Sequence, residues 1–425
     1  MPALRRRNAR TTLGPHYRKL WTAAAISNLG DGVFLTALPL LAAALTRDPL
    51  QVGIVGAAGW LPWLLLGPVS GALVDRWDRR QVMWTVDAAR FGIVGGLGIA
   101  VLAGWASIPL LVATGFLLGV GQTLFDSATQ SVIPTLVGRD AGRLERANGQ
   151  LFGAQQVSQQ LVGPPLGGLL FSLARAVPFL VDAASFLLSS TLIATISGRF
   201  RPERTADTPR TSLRRQIAEG MRWLLGHRLL RITVIMAGIA NLALTARDVI
   251  LVLLAQDELG LGSVGYGLLL AKLRGRRGAR QPARGPCGRL LGTGTVLIGG
   301  ILVAAAMSLG IGFTSSAWAA GGLLAVEGLA ITIVNVVSTS LRQALVPDAL
   351  MGRVVATSWL VTFGTMPLGG LLGGAIGRTL GLRTPFLLGG ALLAATALLA
   401  LPWVNNRTVH AARIAAGVAP AADEA

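Results

Sequence analysis

The chain of 425 residues is 52% apolar and 13% charged, which excludes a water-soluble domain, because a fold of this length has too little interior to hide that much apolar surface. A formal charge of +19 would suit a nucleic-acid partner, yet the basic residues fall in short clusters between apolar runs, the pattern that sets membrane topology, so no nucleic-acid partner is expected. The single Cys287 excludes an internal disulfide and a thiolate metal cluster.

Apolar runs of about 20 residues, each long enough to cross a bilayer as a helix, recur along the chain; a β-barrel would show alternating segments of about 10 residues instead. The N-terminal stretch "MPALRRRNARTTLGPHYRKL" has no short apolar core followed by a small-residue cleavage site, so residues 1–17 read as a cytoplasmic tail and the first helix as the insertion signal. The runs predict spans over 18–45, 50–74, 81–103, 107–135, 148–172 and 177–197, a six-helix bundle covering 18–197. A basic connector over 198–228 follows. It holds "LRRQIAEGMRWLLGHRLLR", in which Leu213, Ile217, Met221, Leu224 and Leu225 recur at helical spacing opposite Arg and Glu, the pattern of an amphipathic helix on the inner membrane surface. Further spans are predicted over 229–255, from Val264 onward, and over 291–314, 317–343, 353–377 and 384–404, a second bundle covering 229–404 before a cytoplasmic tail at 405–425. The expected fold is an all-α membrane protein with twelve transmembrane helices in two pseudo-symmetric six-helix bundles.

Arg5 to Arg10, then Arg76, Arg79 and Arg80, then Arg139, Arg143 and Arg146, then the connector fall in alternate loops, and the loops between them are nearly free of Lys and Arg. Both termini are therefore expected in the cytoplasm of a multi-pass protein of the inner (plasma) membrane. The two halves resemble each other: Asn28-Leu29 matches Asn241-Leu242, and Gln130 with Pro134 matches Gln343 with Pro347 at the same offset. Val52-Gly53 matches Val264-Gly265 one residue off that register, and "PLGGLL" and "PFL" each occur once per half. Repeats of this kind build transporters whose substrate site lies at the repeat interface.

The same register puts residues 272 to 289 where the second span continues, yet this stretch carries Lys272, Arg274, Arg276, Arg277, Arg280, Arg284 and Arg289 without an acidic residue. Each Arg at a helix centre costs about 2.5–3.5 kcal/mol on the insertion scale, so the eighth span as written should not insert. A genuine loop with an eleven-helix topology would put this basic run outside or invert everything after it, against the charge rule, and a basic patch for acidic lipid headgroups would break the repeat. A pair of compensating frame shifts is the third reading. GC-rich codons for the stretch permit it to be read one base later as "SSAAVGALGSLLAGPAG", an apolar, small-residue segment that would lie opposite "GALVDRWDRR" at Gly71 and restores consistency across the repeat.

"GPVSGALVDRWDRR", from Gly67, is the most specific motif. Gly67 and Gly71 should allow close backbone approach at the end of the second span, Asp75 should end that helix, and Arg76, Arg79 and Arg80 should anchor it to the inner face. The stretch resembles the loop between helices 2 and 3 of the major facilitator superfamily, G-x-L-a-D-r-x-G-r-r, with Asp78 in place of the second glycine. "SNLGDGVFLTALPLL", "DAAR", "LVDAASFLLS" and "LVPDALMGRV" are similar to the branch that contains the enterobactin exporter and macrolide-efflux proteins. "GPPLGG" at Gly163 is similar to the end of the antiporter motif, with Gly163, Pro164, Gly167 and Gly168 expected to make a close helix contact and a bend; Gln159 stands where a glycine is expected. Helix 4 lacks the buried arginine of many drug/proton antiporters, so their coupling mechanism does not carry over whole.

Ionisable groups inside spans are functional candidates because burying an unpaired charge there is costly. Asp31 lies about midway along the first span and Glu327 midway along the tenth. The resemblance implies that helices 1, 4, 7 and 10 line a central cavity, so Asp31, Asn28, Asn241, Arg247, Asp248, Glu327 and Asn335 are candidates for substrate contact or proton coupling; Asp31 is either a coupling acid or a structural hydrogen-bonder. Asp87 and Arg90 read as a local pair at i, i+3, and Asp126 and Asp182 as partners of loop arginines near the membrane face. Motifs for nucleotide binding, zinc proteolysis and serine hydrolysis are missing, so no enzyme, metal or cofactor is expected and energy must come from an ion gradient. The expectation is a monomeric secondary transporter that exports an amphiphilic organic compound, a drug, antibiotic or siderophore, in exchange for protons. An importer of a polar nutrient and a non-transporting or defective membrane protein are the alternatives.

Overall fold

The computed structural model describes residues 13–74, 76–138, 140–198, 200, 213–271 and 292–415. Among them the chain is helical and runs back and forth in two halves. The first half holds α1 (Pro15–Leu45), α2 (Pro49–Val74), α3 (Arg79–Leu102) and α4 (Ile108–Val137), then α5 (Ala141–Gln155), which passes through a π-helical segment, Gln156–Val162, into α6 (Gly163–Leu173), and α7 (Val177–Ala194). The second half follows the connector helix α8 (Leu213–Gly226). It holds α9 (Arg228–Asp248) with the short α10 (Leu251–Leu253), α11 (Ser263–Leu270), α12 (Thr293–Phe313), α13 (Ala317–Leu345), α14 (Asp348–Gly364), α15 (Met366–Leu380) and α16 (Thr384–Ala400), before α17 (Asn406–Ala415).

Local chemistry sets these boundaries. Proline occupies the first turn of α1, α4, α6, α7, α15 and α16, where its missing N–H costs nothing. The Asp78 and Asp140 side chains accept from the Gln81 and Arg143 N–H groups and cap α3 and α5. Gly138 and Gly381, at φ 81° and 94°, end α4 and α15. The fifth and eleventh spans both break just before the shared "PLGGLL", one through the π segment ahead of Pro164 and the other at Thr365 ahead of Pro367, as expected where proline removes a helical hydrogen bond.

Three apolar cores show how the halves meet. At the end remote from α8, one core runs through both halves, from Phe34, Leu41 and Phe179 to Leu251, Tyr266 and Phe386. At the connector end there are two, one inside the first half around Tyr17, Met83 and Phe125 and one inside the second around Leu230, Leu297 and Val354. The molecule is thus closed at the far end and divided at the connector end.

Glycines make the closure. A methyl on Gly53 of α2 would stand 2.6 Å from the Gly370 carbonyl oxygen of α15, and one on Gly168 of α6 would overlap the Ser263 carbonyl oxygen at the start of α11. Polar contacts rim this contact: Arg47 reaches Gln256 at 2.8 Å and Asp257 at 3.0 Å, and Arg378 reaches Asp48 at 3.5 Å. Exposed ion pairs of this kind contribute about 0–1 kcal/mol each, so backbone packing rather than charge holds the far end shut. Toward the other end Trp63 and Phe363 stack at 5.8 Å between α2 and α14, and beyond them the halves part.

The connector forms a helix, as read from the sequence, and part of it meets protein. Trp223 and Leu224 pack into the second-half core with Leu229, Leu350 and Val354, and Glu219 pairs with Arg353 at 2.7 Å. The helix therefore docks on the start of α14 through Trp223 and Leu224, while Leu225 stays exposed. A methyl on Gly220 would stand 2.6 Å from the Arg353 carbonyl oxygen, so that docking is close. The basic stretch 272–289, with Cys287, lies outside the described residues. Among the described helices α13 is thinly covered: 11% of its most apolar stretch is buried, against 50% for α12.

Candidate transport site

Four spans of the first half each bring one carboxylate to a common region: Asp31 from α1, Asp87 from α3, Asp126 from α4 and Asp182 from α7. Arg90, one helical turn after Asp87, supplies the guanidinium among them. It stands 3.6 Å from Asp87 and donates to Gln122 Oε1 at 2.7 Å. Gln122 Nε2 in turn donates to Asp126 at 2.9 Å. Ser189 Oγ donates to Asp87 at 2.6 Å, and Ser185 Oγ to Asp182 at 3.3 Å. Asp182 sits against α1, since a methyl on Gly30 would overlap its Oδ1. Asp31 lies between Gly30, which packs on Ser185 and Asp182 of α7, and Gly32, which packs on Gly163 of α6.

The Asp87–Arg90 pair is present as read from the sequence, but it is the centre of a four-helix cluster and not a local feature. Asp126 and Asp182 correct the reading more sharply: they join this cluster and not the loop arginines. Helical spacing places a residue on a face of its own helix and leaves the neighbouring helix undetermined. One usable signal was that spans 1, 3, 4 and 6 each carry an intramembrane aspartate; Gln122, Ser185 and Ser189 carried none.

In the second half three candidates meet. Arg247 pairs with Glu327 at 2.6 Å and with Asp248 at 3.4 Å, and lies 5.9 Å from the Phe386 ring centroid. Arg247 and Glu327 are buried, whereas the Asp248 side chain is 46% exposed. The repeat register puts Arg247 opposite Phe34, which packs edge-on against Phe179, so an ion pair occupies a position that is aromatic in the first half. The other candidates stand apart. Asn28 bonds the Ala24 carbonyl of its own helix, Asn241 ties α9 to the Thr362 carbonyl of α14 at 2.9 Å, and Asn335 is exposed on α13.

The glycines expected to act together divide by position. A methyl on Gly163 would lie 2.6 Å from Gly32 Cα and one on Gly167 2.6 Å from the Val33 carbonyl oxygen, so α6 packs backbone to backbone on α1 next to Asp31; Pro164 is buried with them. Gly67 and Gly71 have open space around them, contrary to the expected close approach, because they lie on the divided side of the molecule. Arg79 bonds the Ser131 carbonyl at 3.3 Å, Arg80 bonds the Ile196 carbonyl and Arg76 is exposed. Asp78, in the place of the family's second glycine, caps α3 and accepts from the Phe200 N–H at 3.2 Å. Asp75 lies outside the described residues.

Two bundles joined at one end, with buried charge in each, define a multi-pass membrane protein of the secondary-transporter class. The chain belongs to the major facilitator superfamily: residues 13–417 match the family described as transmembrane secretion effector. It is similar to the multidrug efflux pump Tap of Mycolicibacterium fortuitum, 26% identical over 374 residues, covering 86% of this chain and 90% of that one. It is likewise similar to macrolide efflux protein A of Streptococcus pyogenes, 22% identical over 412 residues, covering 91% and 95%. An uncharacterised MFS-type transporter of Mycobacterium tuberculosis is 34% identical over 130 residues, a match that spans 29% of its length. Among solved structures, a bacterial homologue of the iron transporter ferroportin in the inward-facing state superposes with a TM-score of 0.72 at 18% identity, covering 92% of this chain and 98% of that one. A point mutant of the nucleoside transporter NupG superposes with a TM-score of 0.70 at 13% identity, covering 92% and 100%. These two likenesses concern the fold.

Proposed function

We propose that this transporter is a proton-coupled exporter of amphiphilic organic compounds, working as a monomer by alternating access. The observation that carries the proposal is the cluster of four carboxylates around Arg90, Asp87 and Asp182 buried and Asp31 and Asp126 part-buried, placed between the shared far-end core and the first half's own core. One guanidinium balances one carboxylate, and the low dielectric makes several neighbouring negative charges costly, so the cluster takes up and gives back protons as its surroundings change. Efflux as the direction of transport is supported by the two efflux relatives. With both termini and α8 in the cytoplasm, the divided end opens inward and the closed end faces out. In this reading the connector, the tails at 1–17 and 405–425, and the bundles at 18–197 and 229–404 form the working units.

The test is efflux of a panel of amphiphilic compounds from vesicles, with and without an imposed pH gradient. Gradient-stimulated efflux of at least one compound is expected; the same rates with and without the gradient would reject proton coupling. The rival reading, a non-transporting product, is favoured by the thin cover of α13 and predicts no transport under any gradient.

Two mutations probe the gates. Gly374→Leu forces a side chain toward the Pro49 carbonyl oxygen, 2.7 Å from where its Cβ would stand. Overpacking costs about 1–3 kcal/mol, enough to shift the balance between closed and open far end by roughly 5- to 150-fold. Labelling of Ala57→Cys, in a Cys287→Ser background, by a membrane-impermeant thiol reagent should therefore rise; unchanged labelling would show that this contact does not hold the far end. At the other end, Asp75→Asn is expected to cut transport while insertion stays intact, because an amide replaces a gating carboxylate poorly. Normal transport by the inserted variant would refute that role.

A further inference from the structure

We infer that the closed end carries a site for the head of an anionic outer-leaflet phospholipid, with Arg175 as its cation, and that the lipid clasps the two halves there. The inference rests on the reading above in one respect, alternating access with the closed end outward, and it involves no proton. A cavity of about 620 Å³ opens at that end, within the roughly 300–1,000 Å³ of small-molecule sites. Both halves build it. Arg47, Ser172 and Arg175 come from the ends of α1 and α6 and the turns that follow them, Gln256 and Ser263 from the approach to α11 and its first residue.

Charge is unevenly matched at this end. Among the described residues there, Arg47 pairs with Asp257, Arg378 with Asp48 and Arg383 with Glu258, and Arg175 has no ion-pair partner. Arg47 bonds Gln256 and Asp257 through Nη1 alone, so its other guanidinium N–H groups are open to a second acceptor. Gly262, ahead of Ser263, gives α11 no side-chain cap, which leaves first-turn N–H groups of the same sign at the cavity wall. The cavity lacks a negative charge, and a phosphate, which arginine binds through two parallel N–H···O bonds, fits that lack. The level in the membrane makes the occupant a lipid. Trp105 and Trp318, in two other turns of this end, are exposed, as tryptophans are at the headgroup layer. Leu45 and Leu173, which also line the cavity, are exposed, so apolar surface continues beside the arginines for an acyl chain to cover. The two walls meet only while the far end is closed. A molecule that touches both therefore binds the closed form better and shifts the balance toward it.

The test places the full chain in nanodiscs of phosphatidylcholine with and without phosphatidylglycerol. Two readouts are taken: the melting temperature, and labelling of Ala57→Cys in the Cys287→Ser background by a membrane-impermeant thiol reagent. Phosphatidylglycerol is expected to raise the melting temperature and to slow labelling by about 5-fold or more, the low end of ordinary coupling between sites. Arg175→Gln removes an exposed side chain without an ion-pair partner, so it should fold, and it is expected to lose both effects. Arg222→Gln, the same charge change on an exposed position of α8 at the other end, is expected to keep them. An Arg175→Gln protein that responds to phosphatidylglycerol as the unsubstituted chain does would overturn the site, and so would an equal loss in Arg222→Gln, the mark of general surface charge. A higher melting temperature without slower labelling would overturn the clasp, and glycerol phosphate reproducing both effects would replace the lipid by a free phosphate. Efflux that ignores a pH gradient would instead remove proton coupling and leave this site standing.

Discussion

Asp31→Asn should abolish gradient-driven efflux while substrate binding and downhill exchange partly survive. A carboxamide has nearly the shape of the protonated acid and carries no exchangeable charge, so the variant is held in the proton-loaded electrostatic state. Asp31 is partly exposed at mid-depth on α1, directly beside the close α1–α6 contact at Gly32 and Gly163, so a change of charge there acts where the two helices are packed backbone to backbone. If proton and substrate compete for the inward-open form, protonation favours one orientation and substrate the other, the linkage that antiport requires. Coupling free energies of about 1–3 kcal/mol correspond to roughly 5- to 150-fold, and gradient stimulation should fall by that order. Efflux from vesicles with and without a pH gradient measures it. Full retention of stimulation by the variant would remove Asp31 as the essential acid and point to the Arg247, Asp248 and Glu327 group, where Asp248 is the exposed member.

Replacing residues 272 to 289 by "SSAAVGALGSLLAGPAG" should turn a short-lived or inactive protein into an abundant one. As written, this stretch holds Lys272 and the six arginines Arg274, Arg276, Arg277, Arg280, Arg284 and Arg289, and each Arg at the bilayer centre costs about 2.5–3.5 kcal/mol. The leucines at 268 to 270 do not offset that sum. α11 begins as a span, with Tyr266 and Gly267 buried and Gly267 against Pro164 of the first half. α13, which carries Glu327, has Val326, Leu329 and Ile333 exposed. An apolar eighth span would give that wall a protein neighbour. Quantified membrane abundance and transport of the two proteins decide the matter: equal values would dismiss the frame-shift reading, and resequencing the gene tests it independently.

The sequence by itself determined the spans, the repeat and the inventory of intramembrane charge. These are local properties. A run of about 20 apolar residues needs no partner to be read as a membrane helix, and proline or glycine at a helix boundary acts through its own backbone. The break in spans 5 and 11 was legible for the same reason, since the shared "PLGGLL" lies where both helices are interrupted.

Only the tertiary structure decided which charges meet, which end is closed and where the connector rests. Spacing alone assigns Asp126 and Asp182 to loop arginines, yet they join Asp31 and Arg90, because four helices packed side by side bring together residues that no spacing along one helix connects. Gly53 and Gly168 close the far end while Gly67 and Gly71 face open space; all four carry the same small-residue signal, and what separates them is whether the opposite half is within reach. The periodicity of α8 does not say which protein surface it meets, and the start of α14, with Arg353 placed to pair with Glu219, is where Trp223 and Leu224 dock. Periodicity fixes a face, and the neighbour that covers that face is a property of the whole chain.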